Sequence, residues 1–190
     1  MIVGNVNLGE RVYVIAEIGN NHEGDFDHAR DMIGLAAKAG ADAAKFQMIR
    51  PEKLIRVQDV ERIRRLQGFA FADEQFAQLA EHARRSGIDF LCTPFDLGSL
   101  AFLLPLVPAI KIASGDNSHT PLLMAAAATG KPLLISTGMT EQAGVEAILQ
   151  TVRNVWRAAE LPSQEIALLH CVSSYPTPPE QASLGKIRRL

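Results

Sequence analysis

Residues 88–116 read IDFLCTPFDLGSLAFLLPLVPAIKIASGD, in which two short apolar runs flank a segment of helical character. The runs are Ile88–Cys92 and Ala109–Ala113, and the segment between them is Asp96–Leu104. Because each run is apolar apart from one charged residue, both are typical of parallel strands that helices cover on each face. The stretch therefore predicts a strand–helix–strand unit with its two strands parallel.

The same alternation continues on both sides of this unit. Four further strands are predicted at Val12–Ile18, Ala43–Gln47, Pro132–Ser136 and Ile166–Cys171. Apolar residues at helical spacing predict helices at Phe26–Ala39, Asp73–Arg85, Pro121–Ala128 and Thr140–Ala159, with one more beginning in Glu180–Leu190. Strands that alternate with helices, without a run of hairpins, indicate an α/β fold.

The composition is that of a single globular domain, which we expect to span residues 1–190. Hydrophobic residues make up 47% of the chain and charged residues 21%, which excludes a disordered protein. The net charge of −2 argues against a nucleic-acid-binding protein, and the charged stretch Arg56–Arg65 is interpreted as a solvated helix face. The longest apolar run, Leu122–Ala128, is too short to span a membrane, and no charged-then-apolar leader opens the chain. We therefore expect a cytoplasmic protein with neither membrane nor nucleic-acid partners.

Two architectures fit the alternation, a doubly wound sheet and a (β/α)8 TIM barrel. A doubly wound dinucleotide-binding sheet needs closely spaced glycines after its first strand, whereas GNNHEGD at residues 19–25 has its glycines five apart. Polar residues at the end of every predicted strand favour the barrel, whose active site lies on that face. Six predicted strands make this barrel incomplete, with about six of the eight βα units. Its first and sixth strands are then expected to be open edges.

The predicted strand ends carry two lysines, Lys45 and Lys111, and a lysine is costly to bury unless it meets an anion. Hydroxyl donors are predicted on the same rim at Thr93, Ser114, Ser136 and Ser173. Ammonium and hydroxyl donors together are suited to phosphate, and Glu17 adds a general base or a partner for a sugar hydroxyl. The alternative is that the lysines pair with Glu17 and Asp96 in purely structural salt bridges.

The histidines and cysteines do not predict a metal centre. His170 and Cys171 are neighbours in a predicted strand, where adjacent side chains point to opposite faces, so one metal ion could not take both. His170 is interpreted as a hydrogen-bonded interior residue, and His22 lies in the loop after the first strand. His28, His82 and His119 are expected at the surface, Cys92 and Cys171 as small buried side chains, and Trp156 as a packing residue.

Six motifs carry a resemblance to a known family. They are IAEIGNNHEGD (15–25), AAKFQ (43–47), FLCTPFD (90–96), KIASGD (111–116), PLLISTGM (132–139) and LLHCVSSYPTP (168–178). In this order and spacing they resemble the sialic acid synthase family, which comprises N-acetylneuraminate synthase and its spore-coat polysaccharide relatives. The segment Met48–Phe71 is shorter than in bacterial sialic acid synthases, which favours a divergent or spore-coat-like member.

The resemblance implies a phosphoenolpyruvate-condensing transferase on a (β/α)8 barrel. Such enzymes join phosphoenolpyruvate to an N-acetylated amino sugar such as N-acetylmannosamine, release phosphate and form a sialic or other nonulosonic acid. By resemblance, the phosphoenolpyruvate site is formed by Lys45, Thr93, Lys111, Ser114, Ser136 and Ser173. Glu17, Gln47 and Tyr175 lie where the family handles the sugar and the reacting carbonyl, and Glu17, Lys45 and Lys111 are the expected catalytic residues.

The resemblance also implies parts that this stretch of sequence does not contain. In the family a divalent metal, typically manganese, with magnesium as the other candidate, is held by two histidines in motifs that follow LLHC. The sequence reaches Leu190 before either motif, and before the family's small antifreeze-like domain, on which its homodimer depends. We therefore expect the isolated chain to be the N-terminal part of a synthase, inactive alone, and to form a homodimer or to associate through its open strand edges.

Two other functions stay open. One is a non-catalytic partial barrel that binds phosphoenolpyruvate or phosphate and complements another chain. The other is a related phosphoenolpyruvate aldolase-type synthase that acts on a phosphorylated sugar.

Overall fold

A computed structural model describes residues 1–162 and 165–190 of the chain. The chain divides into two compact units. The N-terminal unit is Ile2–Ile110, and the C-terminal unit is Lys111–Leu190 together with Met1. Each unit contains a three-stranded sheet covered by helices, and the pairs of strands with a described register are parallel in both. The prediction of an α/β fold is therefore confirmed.

The N-terminal unit contains five strands and five helices. The strands are β1 (Ile2–Val3), β2 (Val6–Asn7), β3 (Ile15–Gly19), β4 (Ala43–Met48) and β5 (Asp89–Pro94). The helices are α1 (Phe26–Lys38), α2 (Pro51–Leu54), α3 (Val60–Gln67), α4 (Asp73–Arg85) and α5 (Leu97–Leu103). Strand β4 lies in the centre of the sheet β3–β4–β5 and pairs in parallel with both neighbours. Its central position explains why five of its six residues are buried.

The predicted start of the first strand was wrong, because β3 begins at Ile15 and not at Val12. Val12 is 79% exposed, and the Val14 amide donates to the side chain of Asp42. Only the Val14 carbonyl reaches β4, where it accepts the Ala43 N–H at 3.2 Å, and the strand register begins at Ile15. An antiparallel hairpin of β1 and β2 precedes this segment and was missed, because strands of two residues are too short to show an alternating pattern. Gly4, in the turn between β1 and β2, has a φ of 55°.

The polar stretch after β4 also contains more regular structure than its pattern indicates. Helix α3 has no buried residue, and Asp59 accepts the Arg62 amide at its N-terminus. Its side chains are solvated, which confirms the interpretation of Arg56–Arg65 over the part that is helical. The short helix α2 begins at Pro51, a residue that favours the first turn of a helix.

The C-terminal unit contains the second sheet, in the order β6–β7–β8. Its strands are β6 (Ile110–Ile112, which begins at the boundary of the units), β7 (Leu133–Ser136) and β8 (Ile166–Leu169). Its helices are α6 (Thr120–Ala128) and α7 (Gln142–Ala158). Trp156 on α7 is buried, and its indole N–H donates to Ala127 O on α6 at 3.1 Å, which confirms its packing role.

The last strand and the tail differ from the prediction. Strand β8 ends at Leu169, so His170 and Cys171 follow the strand and are not part of it. The tail forms two short 3-10 helices, Pro179–Gln181 and Leu184–Arg189, where an α-helix was expected. In the part of the chain that the structure describes, no helix has both the length and the apolar surface needed to cross a bilayer.

Candidate functional site

The N-terminal unit buries a lysine in the middle of its sheet. The Lys45 side chain on β4 is only 6% exposed, its Nζ lies 2.8 Å from Glu17 Oε2 on β3, and it donates to Thr93 Oγ1 on β5 at 3.2 Å. The Glu17 side chain is 56% exposed. The ion pair therefore joins a buried cation to a carboxylate that reaches solvent. The sequence left an anion site and a structural ion pair as alternatives, and for Lys45 the ion pair with Glu17 is present.

Strand register explains why these three side chains meet. Glu17 lies opposite Lys45 in the β3–β4 pair, and Gln47 lies opposite Thr93 in the β4–β5 pair. Residues two apart on a strand point to the same face, so Lys45 and Gln47 share one face while the buried Phe46 between them takes the other. The polar and apolar residues of β4 are thereby separated onto two sides of the sheet.

Asn20 is a site residue that sequence analysis missed. Its amide Nδ2 donates to Gln47 Oε1 at 3.1 Å, which fixes the orientation of the Gln47 side chain. Gly19 just before it has a φ of 56°, and this left-handed turn directs the chain away from the sheet. An asparagine in a loop has no spacing that reveals its partner, and the only indication was the pair of asparagines directly after a strand.

The C-terminal unit has a second buried lysine with a similar arrangement. Lys111 on β6 donates to Ser136 Oγ on β7 at 2.6 Å and to Ile112 O at 2.7 Å, and Lys111 and Ser136 are each 6% exposed. Asn117, which is also buried, donates to Ser136 O and to Gly138 O, both at 3.1 Å. Asn117 was missed in the sequence, and it holds the end of β7 next to Lys111.

Ser114 packs against the backbone of Gly138 in the same unit. A Cβ atom added to Gly138 would lie 2.7 Å from Ser114 Oγ and 3.3 Å from the Cβ of Cys171. Only glycine therefore fits at this position without displacing its neighbours. The structure thus brings the predicted residues Ser114 and Ser136 to the end of the same strand.

The two remaining predicted residues follow β8 and are exposed. Tyr175 is 96% exposed, and Ser173 lines a cavity of about 570 Å³ in the C-terminal unit. His170 and Cys171 line the same cavity, and the prediction that they are neighbours within a strand was wrong. The reason is that β8 has already ended, and strand alternation no longer applies. His170 Nε2 lies 2.7 Å from Ala182 O, which confirms that it is hydrogen-bonded.

Asp96 has a structural role in the N-terminal unit. Its carboxylate caps α5 by accepting the amides of Gly98 and Ser99 at 2.9 and 3.0 Å. Burial acts to raise the pKa of Asp96, but the hydrogen bonds from Ser99 and Gly98 outweigh it and hold the pKa below its ordinary value.

Both cysteines are free thiols, and the described residues contain no cluster of metal ligands. Cys92 is buried and Cys171 half-buried, and burial raises the pKa of the Cys92 thiol, which keeps it protonated. Among the residues that the structure describes, no three histidines, cysteines or carboxylates come together to hold a metal ion. These residues therefore do not fit the metal that the resemblance implies, and we assign no step to a metal.

The geometry is suited to binding an anion. In each unit a buried ammonium group donates to a hydroxyl at the end of the neighbouring strand. A lysine has three N–H donors, and among the described residues Glu17 and Thr93 are the hydrogen-bonding partners of Lys45. Charge-assisted hydrogen bonds from lysine to phosphate or carboxylate are among the strong ones in proteins.

Comparisons with known proteins agree with the resemblance noted in the sequence. The sequence profile of the NeuB family matches residues 32–190. The chain is 42% identical over 196 residues to N-acetylneuraminate-9-phosphate synthase of Drosophila melanogaster, covering 96% of this chain and 51% of that protein. It is 40% identical over 190 residues to the uncharacterized protein MJ1065 of Methanocaldococcus jannaschii, covering 97% of this chain and 53% of that protein.

A solved structure is similar over the whole chain. It is the crystal structure of N-acetylneuraminic acid (sialic acid) synthetase from Leptospira borgpetersenii in complex with citrate, with a TM-score of 0.89 and 33% identity. The match covers 100% of this chain and 65% of that one. The chain spans about half the length of the curated relatives it matches.

Proposed function

Because this chain belongs to the NeuB family, whose named members are synthases of sialic and related nonulosonic acids, we propose that it is part of an enzyme that condenses phosphoenolpyruvate with an N-acetylated amino sugar. N-acetylmannosamine is the model acceptor. In this reaction C3 of phosphoenolpyruvate forms a bond to the sugar aldehyde carbon, water attacks C2, and phosphate leaves. The product is a nonulosonic acid.

One observation carries the proposal: a buried lysine within a strand, hydrogen-bonded to a hydroxyl near the carboxyl end of the next strand. Lys45 with Thr93, and Lys111 with Ser136, both have this arrangement. A buried ammonium costs several kcal/mol in desolvation, so a sheet that retains one is suited to bind an anionic ligand there. Phosphoenolpyruvate has a phosphate and a carboxylate, and each matches this donor chemistry.

The other residues support roles around the acceptor. Glu17 is ion-paired to Lys45 yet more than half exposed, so its free oxygen can accept a proton from water or a sugar hydroxyl. The Gln47 amide is held by Asn20, which leaves its Nε2 donors for the N-acetyl group or a hydroxyl. Ser114 and Ser173 would add hydroxyl donors to the phosphoenolpyruvate site, and Tyr175 would contact the acceptor.

The architecture that goes with this function is a (β/α)8 barrel, of which residues 1–190 supply about six βα units as a single domain. Strand order within each sheet and the likeness to the sialic acid synthetase support this proposal. A divalent metal, a homodimer and a cytoplasmic location stay predictions from the resemblance.

The test is turnover by the complete gene product that contains this chain. Purified protein is given phosphoenolpyruvate, N-acetylmannosamine and Mn²⁺, and phosphate release and product mass are measured with and without the sugar. We expect sugar-dependent phosphate release and a product heavier than the sugar by the mass of pyruvate. Lys45→Met should abolish it, and Lys53→Met, which changes an exposed lysine on α2, should not.

The outcomes separate the alternatives. Phosphoenolpyruvate binding without turnover, in the complete product, would favour the non-catalytic binding module. Turnover with a phosphorylated sugar alone would favour a synthase of phosphorylated acids. No binding of phosphoenolpyruvate by calorimetry would overturn the proposal.

A further inference from the structure

The loop after β3 buries a histidine that the proposed reaction does not use. His22 is only 1% exposed. Its ring stacks on Phe71 with a centroid distance of 4.3 Å and an interplanar angle of 23°, and its centroid lies 6.0 Å from that of Phe46 on β4. An imidazole ring is thus placed inside an aromatic cluster, where a phenylalanine would pack equally well by size.

The hydrogen bond of His22 explains why an imidazole is present. Its Nδ1 accepts the backbone N–H of Gly24 at 3.1 Å. An acceptor at Nδ1 assigns the proton of the neutral ring to Nε2. Burial, and then the nearby His28, lower the pKa of His22, so the neutral form persists. The ring adds a side-chain hydrogen bond to a turn that the Asp25 N–H also closes by donating to His22 O at 2.9 Å, and a phenylalanine could not supply this second bond.

Gly24, in the same loop as His22, packs against the backbone of Gly68 directly after α3. It has a φ of 85°, and a Cβ placed on it would lie 2.0 Å from Gly68 O. The loop therefore meets the segment between β4 and α4 twice, through Gly24 on Gly68 and through His22 on Phe71. Both contacts lie within the N-terminal unit.

The loop that His22 anchors also holds a residue of the candidate site. Asn20 stands two residues before His22 and donates to Gln47 Oε1. Asn21 between them donates to Ile18 O at 2.9 Å, which ties the start of the loop to β3. The position of Asn20 is therefore set on one side by β3 and on the other by the buried ring.

We propose that His22 is a positioning residue, whose stacked ring and Nδ1 acceptor fix the loop so that Asn20 orients the Gln47 amide toward the acceptor sugar. The link to the sugar rests on the proposed function, whereas the link from His22 to Asn20 and Gln47 does not. The acceptor side of the reaction should depend on His22, and the binding of phosphoenolpyruvate should not.

The kinetic test compares two substitutions in the complete gene product. His22→Phe keeps an aromatic ring and removes the acceptor, whereas His22→Asn removes the ring and keeps an oxygen that can take the Gly24 N–H. We expect His22→Phe to raise the KM for N-acetylmannosamine by roughly five- to tenfold, the effect of one lost hydrogen bond, with the KM for phosphoenolpyruvate within about twofold of wild type. His22→Asn should recover part of this loss.

A purely structural role would give a different pattern. Both KM values would then rise together, in proportion to the loss of thermal stability, and His22→Asn would be worse than His22→Phe because it empties the aromatic cluster. Either this pattern or an unchanged KM for the sugar would overturn the proposal.

A spectroscopic test does not need turnover and uses the 190-residue chain. Ring ¹⁵N shifts of the wild-type protein should show His22 with its proton on Nε2, and His22→Phe should shift the side-chain amide signals of Asn20 and Gln47. An Nδ1–H tautomer, or unmoved amide signals, would refute the positioning role. If these signals behave as expected while the complete product shows no synthase activity, the proposed function fails and the His22 connection stands.

Discussion

The two ends of the β3–β4–β5 sheet both carry charged side chains, but they use them differently. At the amino end, Tyr13 donates its hydroxyl to Asp89 Oδ2 at 2.7 Å. Asp42 pairs with Arg11 at 2.7 Å and accepts the Val14 amide, also at 2.7 Å. The hydrogen bond from Arg11, followed by that from Val14, holds the pKa of Asp42 below its ordinary value.

At the carboxyl end the buried and exposed partners of the ion pair are exchanged. The cation, Lys45, is buried, and its carboxylate partner, Glu17, is exposed. At the amino end, the Arg11 side chain is 56% exposed and that of Asp42 only 13%. The amino end thus shields a carboxylate behind an exposed cation, whereas the carboxyl end shields a cation whose carboxylate partner is exposed to solvent. From this difference we expect the amino end to stabilise the fold, and we propose that the carboxyl end binds the anionic ligand.

The largest effect that this comparison predicts is for Lys45→Met. Methionine fills a similar volume without a charge, so the affinity for phosphoenolpyruvate should fall by about 100-fold or more. The free energy of unfolding should stay within about 1 kcal/mol of wild type or rise, because a buried charge is removed and Glu17 remains solvated. Calorimetric titration and urea unfolding of the same samples measure both quantities.

The matched control for Lys45→Met is Lys53→Met, on the exposed surface of α2. It should change neither the affinity nor the stability. A Lys45→Met protein that binds normally but unfolds several kcal/mol more easily would show that Lys45 is a structural ion pair, and the proposed difference between the two ends would be wrong.

Gly24→Ala and Gly40→Ala compare the two ends through the backbone alone. Both glycines have a φ of 85°, but a Cβ at Gly24 meets Gly68 O at 2.0 Å, whereas a Cβ at Gly40 meets no atom within 4 Å. Gly40→Ala should therefore cost only the strain of a left-handed alanine, about 1 kcal/mol, and Gly24→Ala about 3 kcal/mol. Equal losses in urea unfolding would show that the loop does not pack on Gly68 in solution.

Tyr13→Phe tests the amino end. Losing the hydrogen bond to the Asp89 carboxylate should lower the free energy of unfolding by about 1.5 kcal/mol and leave phosphoenolpyruvate affinity unchanged. Tyr175→Phe, which removes an exposed hydroxyl, is the stability control.

The difference in unfolding free energy between wild type and Tyr13→Phe should depend on pH. Burial, and then the hydrogen bond to Asp89, raise the pKa of Tyr13 above its ordinary value. Above about pH 10 the unfolded chain loses the phenol proton while the folded chain keeps it, so unfolding becomes easier as the pH rises. The stability advantage of wild type over Tyr13→Phe should therefore shrink above about pH 10, and a constant difference would contradict the assignment.

The sequence predicted those parts of the fold that a local pattern determines. Helix α4 was predicted at Asp73–Arg85 and has these bounds, because its apolar residues recur at helical spacing up to Gly87. Strand ends were less accurate, as for β8, because a residue with the small apolar side chain of Cys171 can follow a strand without joining it. The two-residue strands of the first hairpin lie below the length at which any periodicity exists.

For the candidate site, the sequence predicted residues on the strands and directly after them, and it missed Asn20 and Asn117 in the loops. Lys45 and Thr93 could be placed together because parallel strands in register align their ends. Asn20 and Asn117 could not, because their partners are fixed by how a loop folds back on the sheet. His22 lies in the motif IAEIGNNHEGD, but only the aromatic cluster around it shows that its ring is buried.

The smallest predicted effect extends the comparison to the second sheet. A Cβ added by Gly138→Ala would lie 2.7 Å from Ser114 Oγ and would displace that hydroxyl. A Cβ added by Gly115→Ala would have no atom within 4 Å. If the carboxyl end of β7 binds phosphoenolpyruvate, Gly138→Ala should weaken that binding roughly fivefold, the effect of one displaced hydroxyl donor, and Gly115→Ala should not. Equal affinities for the two variants would mean that Ser114 takes no part in binding, and the hydroxyl donor at this end of β7 would then be Ser136, which already accepts a hydrogen bond from Lys111.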